Sequence, residues 1–262
     1  MTRSAAPGAP APRAVTFDAG QTLVELDTAM LATRLGERGV VVAEPALAAA
    51  QPAAWTRYEA LVAAGGHEAP WQVLMGALLA GAGVDEGRAG TLAAWLWEEQ
   101  PRANLWRRPV PGMFELAAEL AAAGVPVGIL SNSEGRLAEL IAEIGWTAPF
   151  TVIVDSGRLG VAKPARAIFD HAARALGAAA AEVVHVGDSR TADIDGARAA
   201  GMRAIWFGPP AVTAAAAGAA AGLVDEGVAI AADAAGVRAA LAAWGLPGLS
   251  GAGACQPPPA RR

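Results

Sequence analysis

VVHVGDSRTADIDGARAAGMRAIWF, residues 183–207, reads as strand, acidic turn, helix and strand. Val183–Val186 is a short apolar run stopped by Gly187-Asp188-Ser189. Asp193–Ala200 has helical spacing and stops at Gly201, and Arg203–Phe207 is a second apolar run. A helix joining two neighbouring strands implies a right-handed crossover and parallel pairing. Strands that are apolar almost throughout are expected where helices cover both faces of a sheet.

The same alternation runs outward from this stretch. Pro164–Leu176 is a predicted helix, with Pro at its first position and Gly177 past its end. Before it come a strand at Phe150–Val154, a helix at Glu134–Ile144, a strand at Val125–Leu130 and a helix at Met113–Ala123. Ala14–Phe17 is a further buried strand, running into Asp18-Ala19-Gly20. From Asp27 to about Arg108 the texture changes to Ala/Leu/Glu/Arg segments at helical spacing, and only the short Val40–Val42 run suggests a strand. Residues 209–225 read as a Pro/Ala-rich loop and Gly236–Trp244 as a last helix. The expected fold is α/β, a doubly wound parallel sheet with an inserted all-helical subdomain. The expected organisation is a disordered arm at 1–12, a core from 13–26 and 109–246, a helical cap at 27–108 and a disordered tail at 247–262.

Composition narrows the function. The net charge is −5 and no basic patch is visible, which argues against a nucleic-acid partner. No run of 18 strongly apolar residues suggests a membrane span. The N-terminal MTRSAAPGAPAPR lacks the apolar core of a secretory signal. Cys255, the one cysteine, excludes a disulfide framework or a thiolate metal site, and a cytoplasmic setting is expected. Among the 20 Lys and Arg residues, lysine occurs only at position 163. A site that needs a compact point charge does not accept the wide guanidinium fork.

Ligands of open parallel sheets bind outside the carboxyl ends of the strands. Asp18, Ser131-Asn132 and Asp188 stand at such ends, Asp193 follows five residues after Asp188, and Lys163 precedes a helix. Three carboxylates brought together require a cation. Oxygen ligation suits Mg²⁺, which also takes waters and a substrate phosphate. With Lys163 beside them, and a hydroxyl and backbone N–H groups for phosphoryl oxygens, these residues make a phosphoryl-transfer site with a carboxylate nucleophile.

FDAGQTL (Phe17–Leu23), ILSNS (Ile129–Ser133), AKP (Ala162–Pro164) and HVGDSRTADIDGARAAGM (His185–Met202) resemble the four ordered motifs of the haloacid dehalogenase-like (HAD) superfamily. The helical insert is similar to the cap of its subfamily I, and the resemblance covers roughly residues 14–207. It implies a Rossmann-like core and an Mg²⁺-dependent hydrolase, a phosphatase acting on a small phosphorylated metabolite. It implies Asp18 as the nucleophile that becomes an aspartyl-phosphate, with Ser131 and the Asn132 backbone binding the phosphoryl group. Lys163 would steady both. Asp188 would bind Mg²⁺, Asp193 would bind it or order its waters, and Gly20 would offer its carbonyl. A monomer or homodimer is expected.

Gly20 departs from the pattern. Phosphatases that this chain resembles carry a second Asp there, which protonates the leaving group and then activates water. Three readings follow: a phosphatase with another acid or an undemanding leaving group, a non-catalytic phospholigand-binding protein, or a 2-haloacid dehalogenase. The dehalogenases of the resemblance also lack that Asp but use no Mg²⁺, so the acidic pair Asp188/Asp193 would be idle. Phosphonate hydrolysis through a cap lysine is excluded because the cap contains none. Glu25 and Asp27 are candidate substitute acids, or a solvated turn. Trp55, Trp71, Trp95, Trp97 and Trp106 line an aromatic slot over the nucleophile or pack the cap. Arg57 and His67 are weaker candidates for substrate contact, set against solvated positions. His171, His185 and the pair Asp195/Arg198 read as helix-face, packing and surface residues.

Overall fold

A computed structural model describes residues 10–64, 70–216, 218 and 227–249. Cys255 and His67 lie outside the described residues, as does most of the expected arm and tail.

Six parallel strands form the sheet, in the order β5-β4-β1-β6-β7-β8. They are β1 (Ala14–Phe17), β4 (Val127–Ser131), β5 (Val152–Asp155), β6 (Val183–Gly187), β7 (Arg203–Phe207) and β8 (Val228–Ala231). The chain builds outward from β1 through β4 to β5, then returns to the other side of β1 for β6 to β8. The reversal opens a crevice at the carboxyl ends of β1 and β6. Helices α5 (Met113–Ala122), α6 (Leu137–Glu143) and α11 (Ala234–Ala243) contribute to one apolar layer, with Phe17 and Phe114 at its centre. Helices α8 (Arg166–Ala175) and α9 (Gly196–Ala200) contribute to the other, around Phe169 and Ile194. A short helix, α7 (Ser156–Leu159), follows β5, and α10 (Pro209–Ala216) follows β7.

Between β1 and β4 stand four helices with a core of their own around Leu31, Leu47, Met75, Leu78 and Leu96. They are α1 (Thr28–Glu37), α2 (Glu44–Ala63), α3 (Pro70–Gly81) and α4 (Glu86–Glu99). Asp27 and Asp85 cap α1 and α4 by accepting from the Met30 and Arg88 amides.

Several expectations are corrected. The insert carries a strand, β3 (Trp106–Pro109), which pairs antiparallel with β2 (Val24–Leu26). Both are too short to show an alternating pattern, and their partnership spans the whole insert. Val40–Val42 is not a strand, and Val41 is 96% exposed. The expected loop from 209 opens with α10, because Pro fits the first turn of a helix and alanine extends it. The edge strand β8 escapes a sequence pattern because alanine fills half of it. The expected tail starts within the core, where Leu249 is buried with Leu246.

Candidate active site

The carboxyl ends of β1, β4 and β6 bring Asp18, Ser131 and Asp188 to one edge, and the segment before α8 adds Lys163. The Lys163 Nζ lies 2.6 Å from Asp18 Oδ1 and 2.5 Å from Asp193 Oδ1. All three residues are buried. Asp18, Asp188 and Asp193 each present a carboxylate oxygen within 4.8 Å of the others. Asp18, Gly20, Ser131, Asn132, Lys163, Asp188 and Asp193 all line one cavity of about 660 Å³ between the sheet edge and the helical insert.

Local structure explains each position. Gly187 ends β6 because a Cβ there would stand 2.3 Å from Asp193 Cγ. The chain then enters a π-helical turn, Arg190–Asp195, which swings Asp193 back under the strand end. Its carboxylate is held from three sides, by Lys163, by His185 Nε2 at 3.0 Å and by the Ser189 amide at 3.0 Å. Thr16 Oγ1 holds the other ring nitrogen of His185 at 2.9 Å. The Asn132 side chain clamps the Lys163 backbone, accepting from its N–H at 2.8 Å and donating to its carbonyl at 3.0 Å. Asp188 is fixed through its carbonyl, which accepts from the Trp206 indole at 2.8 Å. The turn after β1 uses the Ala19 and Val24 carbonyls as acceptors and leaves that of Gly20 out of the ladder.

The electrostatics are unequal. Burial raises the Asp18 carboxyl, and Lys163 with the Ser131 hydroxyl pulls the other way. Burial also penalises ionised Asp193, but Lys163 and His185 overcome it and hold this carboxyl far below the usual range. Asp188 is raised well above it, first by burial and then by Asp18, Asp193 and Glu59. The Lys163 ammonium is shared by Asp18 and Asp193, so Asp188 ionises only against burial and uncompensated neighbouring charge. Such an all-oxygen set fits a hard divalent cation.

The insert reaches into the same space. Tyr58, Trp55, Trp71, Trp97 and Trp106 line the cavity, whereas Trp95 lies beneath the Arg34 and Arg38 guanidiniums. Trp71 stands 5.8 Å from Trp106 and 5.4 Å from Trp97, centroid to centroid. A Cβ at Gly20 would meet Trp106 Cδ1 at 3.5 Å and Nε1 at 3.6 Å. The indole edge therefore borders the room an acid at position 20 would enter.

Neither candidate substitute acid is free. Asp27 caps α1, and Glu25 pairs with Arg108 at 2.8 Å. Arg57 is exposed on α2, and Asp195 pairs with Arg190 rather than Arg198. Sequence reasoning misses the role of His185, which is a link between Thr16 and Asp193 and not merely a packed ring. Thr16 and His185 are register partners on adjacent strands, so two polar residues at matched depth in apolar strands are the available signal. Sequence reasoning also misses Asp155, whose carboxylate accepts from the Gly135, Leu137 and Gly157 amides and shapes the loop after Ser131. Glu59, which faces the Ser189 hydroxyl and the Thr191 amide from α2, carries no local signal.

Residues 12–201 match the haloacid dehalogenase-like hydrolase family. A phosphoserine phosphatase of Thermus thermophilus is 34% identical over 162 residues, 59% of this chain and 62% of that relative. The chain thus spans less than two thirds of that protein's length. A phosphoglycolate phosphatase of Xanthomonas campestris is 32% identical over 202 residues, 74% of this chain and 84% of the relative. A HAD family hydrolase of Deinococcus radiodurans, solved with bound phosphate and sodium, shares the fold at a TM-score of 0.59 and 24% identity, covering 90% of this chain and 98% of that one. The strand-end carboxylates, the lysine between them and the family match lead to one conclusion: the chain belongs to the haloacid dehalogenase-like hydrolases.

Proposed function

We propose that the protein is an Mg²⁺-dependent phosphatase that releases phosphate from a small phosphorylated metabolite through an aspartyl-phosphate on Asp18. The observation that carries this reading is the buried Lys163 Nζ set between Asp18 and Asp193, with Asp188 completing the cluster. The phosphatase relatives support it.

Asp18, Asp188 and the Gly20 carbonyl would hold the cation, with Asp193 behind them. Bound there, Mg²⁺ supplies charge neutralisation to the phosphoryl oxygens. Asp18 attacks phosphorus from the sheet edge. Lys163 and the Ser131 hydroxyl, with the Asn132 amide, receive the phosphoryl oxygens in a site from which the insert excludes water. Water then cleaves the aspartyl-phosphate. Position 20 offers no proton donor for the first step and no base for the second. Such help is typically worth ~10²–10⁴-fold.

The test is phosphate release from a panel of alkyl, aryl and acyl phosphates, with and without Mg²⁺. Wild type turns over at least one member in an Mg²⁺-dependent manner, and Asp18→Asn loses at least about 10⁴-fold. Absence of such turnover on every member overturns the reading in favour of a phospholigand-binding protein. One observation favours a second reading: the missing acid at Gly20 also suits a 2-haloacid dehalogenase. Metal-independent halide release from a 2-halo acid would establish that alternative. We also take the protein to act in the cytoplasm as a monomer or homodimer, without nucleic acid or membrane partners. Among the described residues no helix is long and apolar enough to cross a membrane.

A further inference from the structure

The cavity combines two features that meet at one atom position. Position 20 has no acid, and the Trp106 indole edge borders the space beside it. From Trp106 the aromatic wall continues through Trp71 to Trp97, which is 37% exposed. Aromatic side chains thus begin where a leaving group departs and lead outward. Among the described lining residues, Lys163 is the sole cation, and its charge is already shared between Asp18 and Asp193. Among those described residues no further cation stands ready for a carboxylate on the substrate's remote part, and the lining adds the acidic Glu134.

We propose that the substrate is an aryl phosphate monoester, its ring lying against the Trp106–Trp71–Trp97 wall. The proposal rests on the phosphatase reading above and specifies its substrate class. An Asp18 oxygen bonds to phosphorus as the phosphorus–aryl oxygen bond breaks. The electron pair leaves on the phenolate oxygen, which takes its proton from water. Water then attacks phosphorus, the bond to Asp18 breaks, and the carboxylate is regenerated. The balance is ester plus water to phenol plus inorganic phosphate. A phenol has a pKa of about 10, against roughly 16 for a water-like alkyl alcohol. A phenolate therefore departs without the proton that Gly20 cannot give. The ring supplies flat apolar surface for stacking on the indoles.

Four substrates separate the contribution of the ring from that of the leaving group. 1-Naphthyl phosphate has a ring and a good leaving group, benzyl phosphate a ring and a poor one. Acetyl phosphate has a good leaving group without a ring, and ethyl phosphate has neither. With full-length protein and Mg²⁺, kcat/KM is highest for 1-naphthyl phosphate, and benzyl phosphate exceeds ethyl phosphate. Trp71→Ala and Trp97→Ala each lower the ratio of kcat/KM for 1-naphthyl over acetyl phosphate about tenfold, in line with the cost of losing one stacking partner. Trp71→Phe restores most of the ratio. Trp97 is exposed enough that its truncation leaves the fold intact. Quenching of tryptophan fluorescence by phenylphosphonate, weaker in both alanine variants, reads the same contact without turnover. An unchanged ratio in both alanine variants overturns the aryl assignment and leaves a phosphatase of other specificity. The aryl assignment falls equally if phosphoglycolate outperforms 1-naphthyl phosphate. Absence of Mg²⁺- and Asp18-dependent release from all four and from phosphoglycolate removes the phosphatase reading itself.

Discussion

The sheet edge and the helical wall that faces it are built on opposite terms. At the edge, Lys163 and Asp193 are each held by several polar partners. Asp193 alone takes Lys163, His185 and the Ser189 amide, and Lys163 is gripped at its backbone by Asn132. On the wall, indoles meet one another at tilted angles of 51° and 56° and leave surface open to the cavity. The edge is over-determined because buried charges are costly unless each is paired and hydrogen-bonded. The wall is permissive because apolar contact has no direction. On the proposed function, reaction chemistry is fixed at the edge and selection among substrates is left to the wall.

This contrast breaks most sharply at Lys163. Lys163→Arg should cost on the order of 10²–10³-fold in kcat, the scale of a lost transition-state donor. The fork cannot place one point charge at 2.6 and 2.5 Å from two buried carboxylates. Steady-state rates on 1-naphthyl phosphate read the loss. An Arg variant within threefold of wild type would show the edge to be as tolerant as the wall.

Gly187→Ala sharpens the comparison through packing. The added methyl meets Asp193 Cγ at 2.3 Å, and relief costs about 1–3 kcal/mol. Urea denaturation measures it as a lower midpoint at unchanged slope. An unaltered midpoint would mean that the Asp193 turn yields easily.

The smallest expected effect concerns pH and the metal. The Asp188 carboxyl is raised well above its ordinary value, first by burial. Between the unfolded value of about 3.9 and the raised folded one, the folded state binds the proton more tightly, so stability falls as pH rises through that window. On the proposed function, Mg²⁺ would compete for the ionised form, and its stabilisation would grow with pH. Thermal melts should show an Mg²⁺-induced rise in Tm of about 5 °C at pH 8, and much less at pH 5. Asp188→Asn should raise the metal-free Tm at pH 8 and remove the Mg²⁺ response. Equal Mg²⁺ shifts at both pH values would show that Asp188 is not the charge being neutralised.

The legible parts of the molecule share a physical property. The strands β1, β4, β6 and β7 are buried on both faces, so each reads as an apolar run within a residue or two of its true bounds. Their end residues are therefore visible as candidates. β2, β3 and β8 are not legible, because the first two are short and partly exposed and the third is half alanine. His185 reads as packing because a mid-strand residue declares its depth and not its neighbour.

Sequence alone determined the alternation of elements, the strand ends that carry Asp18, Ser131 and Asp188, and the absence of an acid at position 20. These are local properties, set by the period of apolar residues, by Gly and Pro stops, and by which side chain occupies a turn. Tertiary structure decided which groups meet. Lys163 finds Asp18 across 145 residues and Asp193 across 30. Trp106 arrives beside Gly20 only because β3 pairs with β2 across the entire insert. Such meetings follow from topology and packing, in which residues remote along the chain share one cavity, and no local pattern encodes them.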